Sequence, residues 1–412
     1  MDNITHALAG VLTAEVAVQL RRRLGHPVSP RWERAAWVAS ALAHNAPDLD
    51  AVYTRLTVAP LGYLLHHRGH THTLLAAPVL GLVAYGLGSL FGRGQGWSRA
   101  DRLWLLALSL LGPVGHLALD LSNSYGVHPL WPLHDGWFYG DSIFIVEPLF
   151  WACTLPLVIT ASESWVSRVV AGVILAAGLG LAAFGGFVPW PFPVVVVALA
   201  LLTLAVGVKV RPGRRAAFSL GASLTVLLSF VVNSHAAARI TREQLAVAYP
   251  EFQTIDVART PLPATPICWQ TIAVQRDARD RYALRTVRVS TWPGLLSPGA
   301  CHGRRGEGEL TAPVTRVDRE AGVSARIELS LEAPRAQLRE VAARCDGAAL
   351  MRFLRMPFVA PRAGGEAIAG DLRYDREPGP GFSEMRLPAT VSTCPSWVSP
   401  WTPPRTDLLT AP

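Results

Sequence analysis

Four short polar motifs lie among apolar segments in the first third of the chain. They are NITH at residues 3–6, NAPDLD at 45–50, HHRGHTH at 66–72 and GHLALD at 115–120. Ten of the twelve histidines fall between residues 6 and 134. Carboxylates and imidazoles are costly inside a bilayer, so a cluster of them at the ends of membrane helices indicates a functional site. Histidine and aspartate are also the side chains that bind zinc and similar divalent metals.

The composition is that of a membrane protein. Of 412 residues, 50% are hydrophobic and only 17% are charged, and the mean hydropathy is +0.28. A soluble domain of this length is less apolar. The net charge of +8 comes from arginine rather than lysine, and most basic residues before the C-terminal part lie in short loops. This pattern indicates membrane topology and a lipid bilayer as partner, and it argues against nucleic-acid binding.

Eight apolar segments predict helices, and several exceed the length of roughly 18 residues that a spanning helix needs. They lie near residues 4–20, 35–47, 72–91, 103–122, 143–161, 166–186, 192–209 and 216–234. If all eight cross, the arginine-rich loops after the first, third and seventh segments share one side, which the positive-inside rule assigns to the cytoplasm. All four polar motifs then meet at the opposite, extracytoplasmic face.

The C-terminal part has a different composition. From about residue 240 charges become frequent, and alternating runs such as TIAVQ at 271–275 predict half-buried strands. A helix is predicted near 333–345. Four cysteines fall here, Cys268, Cys301, Cys345 and Cys394, and an even count suits two disulfides if this part lies outside the cytoplasm. Three pairings are possible, and four unrelated buried thiols are the alternative.

We therefore predict a mainly α fold. It consists of a multi-pass transmembrane helical bundle of about seven to eight helices and a small C-terminal extracytoplasmic domain, either α+β or mainly β. The predicted divisions are a helical domain with the His/Asp motifs at 1–150, additional transmembrane helices at 151–238 and the extracytoplasmic domain at 239–395. Residues 396–412 are rich in proline and serine, and we expect them to form a flexible tail.

The spacing of His116 and Asp120 places both on one face of a helix. The pair suits two ligands of one metal, or a histidine and the carboxylate that orients it. The alternative is a histidine whose hydrogen bonds are satisfied by a neighbouring helix. Asp48 and Asp50 follow a proline, which is typical of a helix end, and Asp48 could simply cap the next segment. Two carboxylates at this spacing can also serve two metals, or one metal and a general base.

The motif at 66–72 places four histidines and an arginine in seven residues. Gly69 permits an unusual turn, and Arg68 could hold a phosphate or carboxylate. Not every histidine here can be a ligand, and at least one of His66 and His70 fits a basic patch at the membrane interface. His6 is a candidate site residue only because the predicted topology places it beside the other motifs.

Further along the chain, Trp131, Trp137, Phe138 and Tyr139 are typical of an interfacial aromatic belt. Asp141 and Glu147 lie at the same predicted face and could add ligands. The sequence contains no HExxH, Walker-type loop, GxSxG or CxxC, which disfavours metalloprotease, ATPase, serine hydrolase and zinc-finger functions.

At these motifs the chain resembles the membrane-bound metal-dependent hydrolase family of bacteria and archaea, a group that includes the YdjM and YbcI inner-membrane proteins. The matching stretches are MDNITHALAG, NAPDLD, HHRGHTHTL, GHLALDLSNSYG and PLHDGWFYGDSIFIVEP, in this order over roughly residues 1–150. The resemblance implies a helical membrane protein with a metal site and hydrolase activity. Carried onto matching positions, it implies site roles for His6, Asp48, Asp50, His67, His72, His116 and Asp120. His70 and His134 depart from the family pattern, and we do not expect them to be ligands.

The sequence therefore predicts a metal-dependent hydrolase of the bacterial plasma (inner) membrane. A divalent metal, zinc or else manganese, is expected on His6, Asp50, His67, His72, His116 and Asp120. Catalytic roles are expected for Asp48, Asp50 and Arg68, with a phosphoester or other lipid-linked substrate at the outer face. The alternative is a non-catalytic metal-binding scaffold or transporter, although transporters place ionisable residues near the bilayer midplane.

Overall fold

The computed structural model describes residues 1–94, 96–186, 188–301, 310–375, 379–391 and 393–410. The part before residue 250 is helical. Its helices are α1 (Asn3–Arg23), α2 (Pro30–Asn45), α3 (Leu61–His66), α4 (Ala77–Ser89), α5 (Arg99–Leu121), α6 (Pro148–Ala161), α7 (Trp165–Phe184), α8 (Phe192–Lys209) and α9 (Pro212–Ala248). Each of the eight predicted apolar segments thus contains a helix, and α3 adds a short ninth.

Four of these helices, α5, α7, α8 and α9, are long and apolar enough to cross a membrane. Two others, α4 and α6, are apolar but shorter. Although α1 has 21 residues, it carries Glu15 and Gln19 on buried positions and is not among the candidates. The described part of the chain therefore supports a helical membrane region with four candidate spans, fewer than the seven or eight expected.

Local capping explains where three of the helices near the site begin. The Asp2 carboxylate accepts a hydrogen bond from the Thr5 amide at the start of α1, and Ser29 caps α2 just before Pro30. At the start of α5, Ser98 and Asp101 form a reciprocal capping box. These starts fix the register that brings His6 and His116 to the same end of the bundle.

The arginine-rich loops gather at the other end of the helical part. The Arg21 guanidinium, at the end of α1, lies 2.6 Å from the Asp101 carboxylate at the start of α5. Gly213, at the start of α9, lies beside the Arg23 side chain. The predicted separation of arginines and His/Asp motifs onto opposite ends is therefore present in these helices.

The C-terminal part is built on two antiparallel sheets. The strands are β1 (Gln253–Leu262), β2 (Thr265–Arg276), β3 (Arg281–Ser290), β4 (Thr315–Ala321), β5 (Ala325–Pro334), β6 (Pro357–Pro361), β7 (Ala367–Asp371) and β8 (Met385–Leu387). The first sheet has the strand order β1-β2-β3-β5-β4 and the second β6-β7-β8. Two helices, α10 (Arg335–Ala342) and α11 (Cys345–Met351), lie between β5 and β6 in the chain, in the region where one helix was predicted.

The two parts share a hydrophobic core and a buried charge network. Side chains of α3, among them Leu61, Leu64 and Leu65, pack in one cluster with Phe353 and with residues of both sheets. Arg355 donates to both carboxylate oxygens of Asp141, at 2.8 and 3.0 Å, and to Asp256 at 2.7 Å. A buried arginine needs such pairing, so these contacts hold the C-terminal domain firmly on the helical part.

The end of the chain is packed rather than loose, contrary to the expectation of a flexible tail at 396–412. Trp401 and Leu408 are buried, and residues 406–409 form the short helix α12 (Thr406–Leu409). The Arg335 guanidinium donates to the carbonyl oxygens of residues 407, 408 and 410. The proline-rich composition correctly indicated little regular structure, but it carried no information on the partners that bury these side chains. Residues 411–412 lie outside the described residues.

The four cysteines of the C-terminal part form two disulfides, in one of the three possible pairings. Cys268 is bonded to Cys301 and Cys345 to Cys394, while Cys153 is a buried free thiol. Disulfides persist in oxidising compartments, so they are consistent with an extracytoplasmic C-terminal domain.

Replacing Cys345 and Cys394 together with serine should lower the free energy of unfolding of the C-terminal domain by about 4 kcal/mol, because the bond closes a long loop. The sequence separation of this pair is 49 residues. Denaturant unfolding measures the change, and Cys153→Ser, which breaks no disulfide, is the control. Peptide mapping of protein from intact cells should recover both pairs; finding all four cysteines reduced would contradict the pairing and the placement.

Candidate metal centre

His116 is held in a defined tautomer at the end of α5. Its ring is fully buried, and Nδ1 lies 2.5 Å from the carbonyl oxygen of His44, in the last turn of α2. A carbonyl can only accept, so Nδ1 carries the proton and Nε2 presents a lone pair. Such a bond to the second ring nitrogen is typical of histidines that bind metals.

His72 reaches the same point from the loop before α4. Its Nδ1 donates to the Asp50 carboxylate at 3.0 Å, and its Nε2 lies 3.0 Å from Nε2 of His116. If both Nδ1 atoms carry protons, two lone pairs face each other at this distance. The arrangement is favourable only with a cation between the rings, either a proton or a metal ion.

Two carboxylates complete this group. Oδ2 of Asp120 lies 3.3 Å from Nε2 of His72 and of His116, and Oδ1 of Asp48 lies 3.4 and 3.6 Å from the same two atoms. One ligand atom from each of the four side chains falls within 4.8 Å of the others. Two imidazole nitrogens and two carboxylate oxygens form a donor set that suits zinc.

A second group of donors adjoins the first. Asp48, Asp50 and His67 also place their ligand atoms within 4.8 Å of one another, so Asp48 belongs to both groups. Asp50 is fully buried and already accepts from His67 Nδ1 at 3.0 Å and from the Arg68 amide at 2.8 Å. Asp50 therefore orients His67 and His72 through hydrogen bonds. Only in the second group could it bind a metal directly.

The electrostatics of the loop residues reflect this crowding of opposite charges. Burial disfavours a charged His72, but hydrogen bonds to Asp120, Asp48 and Asp50 outweigh burial and raise its pKa to about 10. Burial likewise acts against ionised Asp50 and Asp48, but their hydrogen bonds to histidines hold the pKa of each below its ordinary value. Without a metal, the site thus keeps a proton on His72 at neutral pH.

Arg68 links the loop to both carboxylates. Its backbone has a φ of 59°, its amide donates to Asp50, and its Nε lies 3.0 Å from Oδ2 of Asp120. Its Nη1 donates to the Asn123 side chain at 2.7 Å. The guanidinium predicted to face a substrate anion is instead paired with Asp120, which suits a residue that positions a ligand.

His6 touches the centre from its edge. Its Nε2 lies 3.2 Å from Oδ1 of Asp120, and its ring stacks on His116 with centroids 3.7 Å apart. It belongs to neither ligand group among the described residues. The N-terminal nitrogen of Met1 contacts the same oxygen of Asp120.

The remaining polar residues of the motifs have other partners. His66 is hydrogen bonded to Thr57 and Ser399, and His70 lies between the rings of Trp131 and Trp401. Asp141 pairs with arginines of the C-terminal domain, and Glu147 caps α6 and accepts the Ala264 amide. Neither acidic residue is part of the metal groups, although sequence position had suggested it.

Three groups that complete the site were not expected from the sequence. They are the His44 carbonyl, the Thr71 hydroxyl, which donates to Asp50 at 3.1 Å, and the Asn123 side chain. Asn123 stands in a motif already recognised, so its polar side chain beside Asp120 was a usable signal. A backbone carbonyl carries no residue-specific signal at all.

The part of the chain that carries the His/Asp motifs is similar to known proteins. Residues 1–188 match the family model described as YdjM inner membrane protein, which confirms for this part the resemblance that the motifs indicated. The uncharacterised protein YfhP of Bacillus subtilis is 29% identical over 137 residues, which are 33% of this chain and 39% of YfhP. The chain thus matches well under half the length of this relative. No solved structure matches the chain.

Asp50→Asn should weaken metal binding by about 10- to 100-fold, the usual loss when a carboxylate that orients a ligating histidine is removed. In the variant, the His72 Nδ1–H loses its charged acceptor, because a neutral side-chain amide replaces the Asp50 carboxylate. Competitive zinc titration of the purified protein measures the change. Glu163→Gln, an exposed acid-to-amide change in the loop between α6 and α7, is the matched control and should bind as wild type.

Metal binding should release a proton near neutral pH. Because the pKa of His72 is raised to about 10, the metal-free ring is protonated below that pH and must lose the proton to bind a cation. Affinity should therefore rise with pH, by up to about tenfold per unit below the raised pKa. Calorimetric titration in buffers of different ionisation enthalpy counts the protons, and a release of none between pH 7 and 8 would contradict this assignment.

Proposed function

We propose that the protein is a metal-dependent hydrolase of the bacterial plasma (inner) membrane. Its substrate is a phosphoester or another lipid-linked molecule at the outer face. The observation that carries this proposal is the convergence of two histidine Nε2 atoms, from His72 and His116, with the carboxylates of Asp48 and Asp120. The match of residues 1–188 to an inner-membrane family and the two C-terminal disulfides support the location.

In this proposal His72, His116, Asp120 and Asp48 hold one divalent cation. Asp48, Asp50 and His67 provide for a second, with Asp48 shared. The mixed nitrogen and oxygen donors favour zinc, with manganese as the alternative. A cation bound there supplies Lewis acidity and makes a water molecule acidic enough to ionise near neutral pH.

Asp48 is the residue best placed to handle protons. Its side chain is 15% exposed, whereas those of His72, His116 and Asp120 are at most 1% exposed. In phosphoester hydrolysis a water oxygen bonds to phosphorus, the bond to the leaving oxygen breaks, and a proton passes to the leaving group. With one cation held through Oδ1 of Asp48, its other oxygen, Oδ2, is left to accept the proton from water and return it to the leaving oxygen.

Arg68 and His6 act through Asp120 rather than on the substrate in this proposal. The Arg68 guanidinium and His6 Nε2 lie against opposite oxygens of that carboxylate, at 3.0 and 3.2 Å. They hold its orientation and offset its charge. Arg68 would have to leave Asp120 to stabilise charge on a substrate.

Apolar side chains around Asp48 support a substrate with a hydrocarbon tail. The neighbouring Leu49 is 58% exposed and Val52 is 80% exposed. Ile4, 37% exposed, adjoins Asn3, whose amide donates to Asp48 at 3.1 Å. An acyl or prenyl chain would cover these side chains while its headgroup reaches Asp48.

A non-catalytic scaffold or transporter is the second candidate. The near-complete burial of three donors favours it, because structural metal sites are closed whereas catalytic sites keep a position open. The exposed edge of Asp48 favours the hydrolase.

The deciding experiment combines metal content with hydrolysis. Wild-type protein purified in nanodiscs should hold one or two equivalents of zinc or manganese by elemental mass spectrometry. His116→Ala and Asp120→Ala should lose the metal. His26→Ala, which alters an exposed histidine at the arginine-rich end, should keep it.

The same nanodiscs, made with phosphatidic acid or a polyprenyl phosphate, should release inorganic phosphate. Asp48→Asn should slow this release by about 100-fold or more, the contribution typical of a general base, in protein that elemental analysis shows still to hold its metal. Metal bound without any turnover, together with a fully coordinated shell by X-ray absorption, would favour the scaffold. A folded protein that takes up no metal after reloading would refute the hydrolase and favour a scaffold or transporter.

A further inference from the structure

The last turn of α3, just before the histidine-rich loop, is bound by the end of the chain. The Leu65 carbonyl oxygen accepts hydrogen bonds from the Ser399 hydroxyl at 3.0 Å and from Trp401 Nε1 at 2.7 Å. Carbonyls at the end of a helix have no partner within it, so these two side chains satisfy a group that would otherwise be unpaired. Thr57, before α3, donates to the Trp397 carbonyl at 2.8 Å in the same stretch.

Trp401 also packs directly against the loop. It is 1% exposed, and its ring is stacked on His128 with centroids 3.8 Å apart. A Cβ at Gly69 would lie 3.3 Å from the Trp401 ring and 2.7 Å from the His66 carbonyl. Only glycine leaves room for this close approach, so the loop and the tryptophan fit as one unit.

From Leu65 the chain leads to the metal centre through a short, hydrogen-bonded turn. The Gly69 amide donates to the His66 carbonyl and the His72 amide to the Gly69 carbonyl, both at 3.0 Å. The Arg68 amide is fixed on Asp50. With so few free torsions, a displacement at Leu65 is passed on to Arg68 and His72.

We propose that residues 397–402, here called the C-terminal strap, are a positioning element for the metal centre. Trp401 and Ser399 hold the loop of residues 66–72 at the geometry in which His72 meets His116. The Cys345–Cys394 disulfide anchors the chain just before the strap, and the hydrogen bonds of Arg335 anchor it just after. The strap lies outside the residues that match the family model, so it gives the added C-terminal domain a role at the site.

Because the effect on metal affinity rests on the proposed metal centre, the test has one readout that needs no metal. Hydrogen exchange of the segment 61–72 should become faster in Trp401→Ala, in full-length protein in nanodiscs. Zinc affinity should fall by about 10- to 100-fold, as for other residues that orient a ligand. Trp401→Phe and Ser399→Ala, which each remove one hydrogen bond to Leu65 but keep the fold, should give smaller changes in the same direction.

Trp397→Ala is the matched control, because this tryptophan is in the strap but 72% exposed, and only its backbone carbonyl contacts Thr57. It should leave both readouts unchanged. Unchanged exchange of 61–72 in Trp401→Ala would overturn the proposal whether or not the protein binds metal. Faster exchange with zinc affinity within about twofold of wild type would also overturn it. Wild-type protein that binds no metal refutes the proposed function, and exchange of 61–72 then decides alone whether the strap positions the loop.

Discussion

The site depends on the meeting of two imidazole nitrogens at 3.0 Å, one from His72 and one from His116. The other nitrogen of each ring, Nδ1, donates to a fixed acceptor. This acceptor is the Asp50 carboxylate for His72 and the His44 carbonyl for His116. The facing lone pairs therefore need a cation between them, and the carboxylates of Asp48 and Asp120 supply negative charge that stabilises this cation. The raised pKa of His72 and the proposed metal are two consequences of this single constraint.

Holding this geometry requires rigid support from several elements. His116 and Asp120 are one turn apart on α5, so their relative position needs no tertiary contact. His72 stands on a loop, and loops move unless their backbone groups are bound. Asp50 binds the loop backbone at Arg68, and the C-terminal strap binds the chain just before the loop, at Leu65.

The C-terminal domain is thus joined to the site as well as to the bundle. Buried Arg355 pairs with Asp141 of the helical part and Asp256 of the sheet, and the side chains of α3 lie in the core of the domain. A buried arginine with two carboxylates cannot separate from either without leaving an uncompensated charge. For this reason we expect the domain to remain docked while the site works.

The sequence alone determined the features that depend on local pattern. Apolar runs predicted the eight helical segments, alternation predicted strands of the first sheet such as β2, and arginine-rich loops with His/Asp motifs predicted the two ends of the bundle. The spacing of His116 and Asp120 identified the centre. These succeed because hydrophobic period and helix geometry act over a few residues. Only the tertiary structure decided which oxygens and nitrogens meet. It paired Arg68 with Asp120, made the His44 carbonyl a partner and packed Trp401 into the core. Such contacts join residues up to hundreds of positions apart, and no local pattern encodes them.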